Sequence, residues 1–185
     1  MTSITPIKSV PNSIKSVFAN QNQIDPLGLS PIPEDTRQRF LRFKLLGANQ
    51  SLFPLRDIAE VKQLSITDIL PIPDVNSSVL GVCNWRGDIL WLIDLNALLG
   101  DRPLWTQVPQ LEQPTAIIVQ SAQRPIGFLI EHVDDVELIA PESLLDSIEL
   151  SSSTLAPYVT GYLPDHGGMV LDAIAIIKNL LQEPP

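Results

Sequence analysis

The segment Val79–Leu95, with the sequence VLGVCNWRGDILWLIDL, carries the strongest structural signal in the chain. Two apolar runs, Val79–Cys83 and Ile89–Leu95, flank a short polar stretch that contains Arg86 and Gly87. Short apolar runs on either side of a glycine-containing turn predict two paired β-strands. We therefore expect a β-hairpin that carries a lone arginine at its tip.

Similar patterns extend outward from this hairpin. Polar and apolar residues alternate from Arg39, which predicts a half-buried strand, and a turn at Asn49-Gln50-Ser51 then leads into a second strand over Leu52–Leu55. The other predicted elements are a helical turn or bent strand over Arg56–Lys62, a helix over Asn96–Leu99, a loop over Asp101–Pro114, strands over Thr115–Gln120, Ile126–Val133, Val136–Ala140, Val159–Leu163 and Met169–Ile174, and a closing helix over Ile176–Leu181. Short strands without a long amphipathic helix favour small antiparallel β-barrels over a parallel sheet covered by helices.

The chain also contains a weak internal repeat. At a gapless offset of 75 the pairs are Leu41 with Ala116, Phe43 with Ile118, Phe53 with Phe128, Leu55 with Ile130, Ile58 with Val133 and Val61 with Val136. Farther along, at larger offsets, the pairs are Gly81 with Gly161, Gly87 with Gly168, and Leu98-Leu99 with Leu180-Leu181. The shared order of hairpin, glycines and leucine pair predicts two similar β modules, packed together with a groove between them.

The first 36 residues differ in composition from the rest. They mix Pro, Ser, Asn and Gln with isolated aliphatic residues and show no sustained period. This composition predicts a flexible N-terminal tail over residues 1–36, followed by one folded region over residues 37–185. Within the tail, Ile14, Val17 and Phe18 could form a short amphipathic turn that meets a partner, and a plain disordered leader is the alternative.

Charge is unevenly distributed along the 185 residues, whose formal net charge is −9. Residues 125–177 contain nine acidic residues and no Lys or Arg, while the other 12 acidic residues balance the 12 basic ones. Phosphate binding requires a basic surface, so nucleic acids and anionic membranes are poor partners for this chain. The acidic stretch predicts either a solvated face that promotes solubility or a docking face for a basic partner.

Several classes of protein are excluded by what the sequence lacks. The single cysteine, Cys83, excludes an intrachain disulfide framework and a zinc site made of several cysteines. No apolar run approaches the ~20 residues of a membrane span, and the first 30 residues are too often interrupted by polar residues for a signal peptide. We therefore expect a cytoplasmic protein.

The search for catalytic or cofactor motifs is negative. The sequence has no phosphate-binding loop, no dinucleotide fingerprint and no nucleophile elbow. His132 and His166 are 34 positions apart, and neither belongs to a metal-ligand pattern. Cys83 lies in an apolar run and is expected to be a small buried hydrophobe. We expect no cofactor, no metal and no enzymatic activity.

Arg86 allows two interpretations. It could be a structural arginine paired with Asp94 or Asp88, or it could be exposed and used for recognition. The second reading has a physical basis, because a planar and permanently charged guanidinium is well suited to contacts between proteins.

At this hairpin the sequence resembles the CheW-like family of chemotaxis coupling proteins. The family signature, an apolar strand followed by Gly, a hydrophobic pair, Asn-x-Arg-Gly and a strand ending in Asp-Leu, stands here as Leu80–Gly87 and Leu92–Leu95. The resemblance extends over Arg39–Leu181. It includes Phe40–Phe43, Ile58–Val61, Leu70–Pro73, Ile126–Val133 and Tyr158–Gly161. It implies a mainly all-β fold of two intertwined five-stranded SH3-like β-barrels with short helices, which agrees with the internal repeat.

The resemblance also implies a function. Members of this family are adaptors that link the cytoplasmic tip of a methyl-accepting chemoreceptor to the regulatory domain of a CheA-type histidine kinase, within membrane-associated receptor arrays. Carried over by position, the candidate receptor contacts are Ile58, Glu60, Gly81 and Arg86. Candidate kinase contacts are expected at exposed apolar positions of the other barrel, namely Ile126, Gly127 and Phe128. Two alternatives remain: a CheW-like scaffold of a type IV pilus motility or phototaxis pathway, and an enzyme or small-molecule binder on a duplicated barrel.

Two positions depart from the family pattern. Trp85 stands where an aliphatic residue is usual, and we expect it to enlarge the apolar tip of the hairpin. Counting back from Leu180-Leu181, Ile176 takes the place of the Asp or Asn that usually ends the last strand, which would put Asp172 inside that strand.

Overall fold

Ten strands form the frame of the part of the chain that the computed structural model describes, which is residues 35–45, 50–107, 113–121, 124–146, 156–164 and 167–182. The strands are β1 (Gln38–Lys44), β2 (Gln50–Pro54), β3 (Ile58–Gln63), β4 (Val79–Trp85), β5 (Asp88–Asp94), β6 (Thr115–Gln120), β7 (Pro125–Ile130), β8 (His132–Ile139), β9 (Val159–Leu163) and β10 (Gly168–Leu171). The helices are α1 (Leu95–Leu98), α2 (Leu104–Gln107) and α3 (Ala173–Gln182), with single 3₁₀ turns at Leu55–Asp57, Ile66–Asp68, Pro141–Ser143 and Ala156–Tyr158.

These strands make two five-stranded sheets. Sheet A has the order β8-β1-β2-β10-β9, and sheet B has the order β3-β6-β7-β5-β4. Neighbouring strands are antiparallel, except that β2 runs parallel to β10 and β5 runs parallel to β7. The predicted all-β class, with two five-stranded units and only short helices, is confirmed.

The two sheets exchange hairpins between the two halves of the chain. Sheet A combines the β1–β2 hairpin of the first half with β8–β10 of the second half, and sheet B combines the β6–β7 hairpin with β3–β5. Strands β1–β5 correspond in order to strands β6–β10. If each strand of sheet A is replaced by its counterpart, the strand order becomes that of sheet B. The internal repeat is therefore real, and the two units are intertwined because each needs a hairpin from the other half.

Strand pairing corrects the register of the repeat. Leu41 pairs with Phe53 in sheet A, and Ile117 pairs with Phe128 in sheet B. If Phe53 corresponds to Phe128, then Leu41 corresponds to Ile117, at an offset of 76, and not to Ala116. A gapless alignment misses this shift because the two hairpins differ by one residue in the length of their connections.

A second correction concerns the glycine that precedes the last strand of each half. Gly87 (φ +90°) precedes β5, and Gly167 (φ +52°) precedes β10. Both have the positive φ that glycine tolerates best, so Gly87 corresponds to Gly167 and not to Gly168.

Strand β1 is buried on both faces, so the expectation of a half-buried strand was wrong. Leu41 and Phe43 belong to a cluster between the sheets, whereas Phe40 faces a smaller cluster inside sheet A. Arg42 also points into sheet A, where its Nη2 donates to Oε2 of Glu137 at 2.8 Å. Both faces of β1 are buried because the strand lies between these two clusters.

The cluster between the sheets is the largest core of the described chain. Its buried members come from both sheets and from α3, and they include Leu41, Phe43, Phe53, Ile93, Ile117, Val119, Phe128, Leu171 and Ile176. The ring of Phe53 lies 4.9 Å from Phe43 and 5.7 Å from its repeat partner Phe128, measured between centroids. Aromatic pairs at such distances add to the energy of area burial, so this cluster holds the sheets together.

Asp94 at the end of β5 and Asp172 directly after β10 each cap the helix that follows. Oδ1 of Asp94 accepts from the N–H of Ala97 at 3.0 Å, and Oδ1 of Asp172 accepts from the N–H of Ala175 at 2.8 Å. The predicted strand Met169–Ile174 therefore ends at Leu171. Asp172 lies outside that strand, so the assignment of Ile176 to the family's Asp/Asn position was wrong.

Two further predicted regions lie wholly or partly within the described residues. The region Arg56–Lys62 begins with the end of a 3₁₀ turn and continues as strand β3. The predictions of a helical turn and of a strand are therefore each correct for part of it. The predicted loop after Gly100 contains α2, whose Leu104 is buried. The predicted tail up to residue 34 and His166 lie outside the described residues.

The two capping aspartates should differ in their importance for stability. Asp94 is fully buried and also accepts from the N–H of Leu104, whereas Asp172 is half-buried. We expect Asp172→Ala to lower the free energy of unfolding by about 1 kcal/mol, the usual cost of a lost cap. Asp94→Ala should cost roughly 3 kcal/mol, because it also leaves a buried N–H without an acceptor. Urea unfolding of both variants tests this, and equal losses would contradict it.

Candidate functional site

The hairpin tip between β4 and β5 is a two-residue loop made of Arg86 and Gly87. Trp85 and Asp88 are the last paired residues before it. The loop residues have φ of +53° and +90°, the pattern of a type I′ turn, whose twist matches that of paired strands. An arginine in the left-handed region costs about 1 kcal/mol relative to glycine. Such local strain is characteristic of functional positions.

Arg86 is both exposed and paired. Its side chain is 64% exposed, and its Nη2 donates to Oε2 of Glu60 at 3.0 Å. Neither aspartate considered from the sequence is this acceptor, since Asp94 is buried and caps α1. The partner is a second residue of the predicted receptor-binding set.

Trp85 completes this arrangement. Its indole Nε1 donates to the same Oε2 of Glu60 at 2.9 Å, and the guanidinium carbon of Arg86 lies 4.7 Å from the centre of its ring. The ring is buried in the core cluster of sheet B and is only 6% exposed. The expectation that Trp85 enlarges an exposed apolar tip was wrong, because β4 points this side chain inward.

The carboxylate of Glu60 is stabilised in its ionised form. The hydrogen bond from Trp85 lowers the pKa of Glu60, and the hydrogen bond and charge of Arg86, with a contribution from Lys62, act in the same direction. Glu60 therefore remains charged at neutral pH, and the pair with Arg86 is lost only in acid.

The hydrogen bond between Glu60 and Trp85 joins the two edges of sheet B. Glu60 lies on β3 and Trp85 on β4, which are the outermost strands at opposite ends of the sheet. Their side chains nevertheless meet within hydrogen-bonding distance. Sheet B must therefore curl until its edges approach each other, and the candidate site lies where they meet.

Gly81 and Ile58 lie in packed surroundings, unlike the exposed pair of Glu60 and Arg86. A Cβ on Gly81 would lie 2.3 Å from the carbonyl oxygen of Leu70, so glycine is required for a close backbone approach. Leu70 exchanges two backbone hydrogen bonds with Val82 at this point, at 2.8 and 2.9 Å. Ile58 is half-buried against the cluster between the sheets. Of the four candidate receptor contacts, the structure brings Glu60 and Arg86 together.

The expected exposure of the candidate kinase contacts was wrong. Ile126, Gly127 and Phe128 lie on β7, the middle strand of sheet B, and are buried. They also lie in the same sheet as Arg86 and not in the other unit. Both faces of β7 are covered, since Phe128 packs between the sheets while a Cβ on Gly127 would meet the side chain of Leu92 at 2.8 Å.

Two exposed apolar patches occupy equivalent places in the two sheets. Isolated backbone bridges join Leu70 to Val82 beside sheet B and Leu145 to Tyr162 beside sheet A. Leu70 is 65% exposed, Leu145 53% and Tyr162 38%. We call them the Leu70 patch (Leu70 and Val82) and the Leu145 patch (Leu145 and Tyr162). The repeat offset of 75 links Leu70 to Leu145 and could have located both from the sequence.

An apolar cavity of about 280 Å³ lies between sheet B and the end of α3. Its lining residues are Val79, Trp91, Ile93, Arg124, Ile126, Leu180 and Leu181. Of the predicted kinase contacts, Ile126 lines this cavity. The lining has a single charged side chain, Arg124, whose guanidinium carbon lies 6.0 Å from the ring centre of Trp91. It offers no pair of groups for acid–base chemistry.

Reactive groups elsewhere are few. Cys83 is buried as expected, and burial raises the pKa of its thiol, which disfavours the reactive thiolate. Within the described ranges, no three His, Cys, Asp or Glu residues are grouped so that they could hold a metal ion. None of the helices in this part of the chain is long and apolar enough to cross a membrane.

Comparison with known proteins places the fold and the hairpin in a family. Residues 39–180 match the family described as CheW-like domain. The chain belongs to the CheW-like domain family. Among solved structures, the crystal structure of the scaffolding protein TtCheW from Thermoanaerobacter tengcongensis has a TM-score of 0.64 at 20% identity, covering 76% of this chain and 92% of that chain. At this identity the likeness concerns the fold.

Curated CheW-like relatives are similar at the level of sequence. The chemotaxis protein CheW of Rhizobium meliloti is 27% identical over 104 residues, which is 56% of this chain and 64% of that protein. The probable chemotaxis protein CheW of Rhizobium etli is 31% identical over 52% of this chain and 60% of its own length. The chemotaxis protein CheW of Klebsiella aerogenes is 28% identical over 81% and 86%. The match thus spans less than two thirds of the two rhizobial relatives.

Substitutions at Arg86 should reveal the strain in the loop. We expect Arg86→Gly to be more stable than Arg86→Ala by about 1 kcal/mol, because alanine keeps the cost of the left-handed conformation and glycine removes it. Both variants lose the ion pair with Glu60 equally, so their difference isolates the backbone. Thermal and urea unfolding of both proteins measure it. An alanine variant as stable as the glycine variant would rule out a strained position.

Proposed function

We propose that this protein is a non-enzymatic scaffold that couples the cytoplasmic tip of a chemoreceptor to the regulatory domain of a CheA-type histidine kinase. Membership of the CheW-like family, the names of the chemotaxis relatives and the fold of a scaffolding protein support this proposal. The protein acts in the cytoplasm and is recruited to membrane-associated receptor arrays.

The observation that carries the proposal is the exposed pair of Glu60 and Arg86. A guanidinium has five N–H donors in a fixed fork, and the hydrogen bond to Glu60 uses one of them. The exposed remainder can donate to an acidic or carbonyl oxygen of a receptor helix. Because the turn would be less strained with glycine in place of Arg86, an arginine at this position costs stability, which supports a role in recognition.

Receptor binding should depend on Arg86. Full-length protein is titrated by calorimetry with a soluble fragment of the cytoplasmic tip of a chemoreceptor from the same genome. We expect Arg86→Ala to weaken this binding at least tenfold, since hot spots of this kind carry most of the energy, while the unfolding midpoint stays nearly unchanged. Unchanged affinity, or a large drop in the midpoint, would assign Arg86 to a structural role.

The same titration with the isolated regulatory domain of the kinase separates the pathways. Binding in the micromolar range corresponds to about −8 kcal/mol. Binding to a kinase encoded with flagellar chemotaxis genes supports the first proposal. Binding only to a kinase encoded with pilus or phototaxis genes assigns the protein to the alternative pathway, and binding to none would overturn the coupling role.

We place the kinase contact on the exposed apolar patches, in place of the buried Ile126, Gly127 and Phe128. A scaffold needs at least two partner surfaces, and the repeat supplies the Leu70 and Leu145 patches at equivalent positions. Exposed leucines of this kind are suited to the centre of a protein interface.

The patches can be tested with charge insertions. We expect the double variant Leu70→Glu, Leu145→Glu to lose binding to the kinase regulatory domain, and the single variants to show which patch dominates. Receptor binding should be retained by Leu145→Glu, because Leu145 lies beside sheet A, whereas the backbone of Leu70 packs against Gly81, itself a candidate receptor contact. Arg86→Ala is the reciprocal control, which should bind the kinase domain normally. Full kinase binding by the double variant would place the contact elsewhere.

A further inference from the structure

We propose that Trp85 is a positioning residue that fixes Glu60 and Arg86 in the geometry in which they meet the receptor. This inference rests on the proposed function for its biological meaning. Its structural part, that the indole ring holds both charged groups in place, can be tested on the free protein.

Three contacts converge on one carboxylate oxygen and one aromatic ring. Oε2 of Glu60 accepts from the indole N–H of Trp85 at 2.9 Å and from Nη2 of Arg86 at 3.0 Å. The guanidinium lies at 4.7 Å from the ring centre of Trp85, within the range of a cation–π interaction. Arg86 is therefore held on one side by a carboxylate and on another by an aromatic face.

Trp85 is the fixed member of the three residues. The residue is 6% exposed and belongs to the buried sheet B cluster with Leu90 and Leu92, whereas Glu60 and Arg86 have side chains that are 32% and 64% exposed. An exposed ion pair by itself restrains two side chains weakly, because each gives up rotamer freedom to form it. Because Glu60 and Arg86 both contact a ring that is fixed in the core, their side chains are more ordered than those of an isolated surface ion pair.

This arrangement makes receptor binding less costly. A long side chain that is already ordered loses less conformational freedom when a partner arrives. An aliphatic residue at position 85 could fill the core, but it has no N–H for Glu60 and no aromatic face for Arg86. Tryptophan supplies both, and phenylalanine would supply the face alone. The two contributions can therefore be separated by substitution.

The test compares Trp85→Phe and Trp85→Leu in the full-length protein. In the free protein, NMR titration of the Glu60 carboxyl carbon should give a higher pKa for both variants than for the unsubstituted protein, since the indole donor is absent. The side-chain signals of Arg86 should keep part of their ring-current shift in Trp85→Phe and lose it in Trp85→Leu. For the receptor fragment described above, we expect about three- to fivefold weaker binding for Trp85→Phe and at least tenfold for Trp85→Leu.

A matched control separates positioning from loss of core packing. Leu90→Val removes one methylene from the same buried cluster and touches none of the three polar contacts. It should lower the unfolding midpoint while leaving the Glu60 titration, the Arg86 signals and the receptor affinity unchanged. If Leu90→Val weakens binding as much as Trp85→Phe does, general destabilisation explains the effect and the positioning role is wrong.

A double-mutant cycle tests whether Trp85 acts through Glu60. In the Glu60→Gln background, Trp85→Phe should change receptor affinity less than in the natural background, because the charged carboxylate is already absent. Should Trp85→Phe fail to fold, Trp85→Leu, which also lacks the indole N–H, tests the loss of the donor to Glu60 in the same titration and binding measurements.

The outcomes distinguish this inference from the proposed function. An unchanged Glu60 titration and unchanged Arg86 signals in Trp85→Phe overturn the positioning role, whatever the receptor fragment does. A shifted titration combined with normal receptor affinity in Arg86→Ala would retain the structural role of Trp85 and overturn the proposed receptor site.

Discussion

Burial of the cluster between the two sheets is the constraint on which the rest of the structure depends. Each half of the chain donates a hairpin to the sheet of the other half, so neither sheet is complete without its partner. Phe53 and Phe128, equivalent residues of the two exchanged hairpins, pack together within this cluster. Since β1 and β7 are covered on both faces, the candidate recognition surfaces in the described part of the chain lie on edge strands, turns and the segments that cross them.

The contacts that cover the edge strands of sheet B also form its candidate binding surfaces. An uncovered strand edge exposes unpaired N–H and C=O groups and invites aggregation. In sheet B, Leu70 pairs with Val82 on β4, and Glu60 on β3 reaches across to Trp85. Covering the edge thus leaves an apolar side chain exposed at one point and an ion pair at another.

Much of the fold could be predicted from the sequence because it depends on local patterns. Period-two runs and glycine turns indicated the hairpins, and the spacing of Phe53 and Phe128 indicated the repeat. What could not be predicted depends on residues that are distant in sequence. The one-residue shift between Leu41 and Ile117 follows from strand pairing, and burial on both sides of β7 follows from its position in the sheet. The acceptor of Arg86 was missed for the same reason, since Glu60 is 26 residues away and on the opposite edge.

The two halves share a strand order but differ in the charge of equivalent side chains, as the proposed coupling of two unlike partners would require. Where sheet B places Ile118 toward its interior, the register of the repeat places Arg42 of sheet A, held by Glu137. The residue equivalent to Glu60 is Asp135, within the segment that has no Lys or Arg. A symmetric pair of modules would offer the same surface twice. The two halves thus place different charges at equivalent positions of a shared frame, and in the proposed function the position marked by Trp85 and Arg86 in sheet B is the one that meets the receptor.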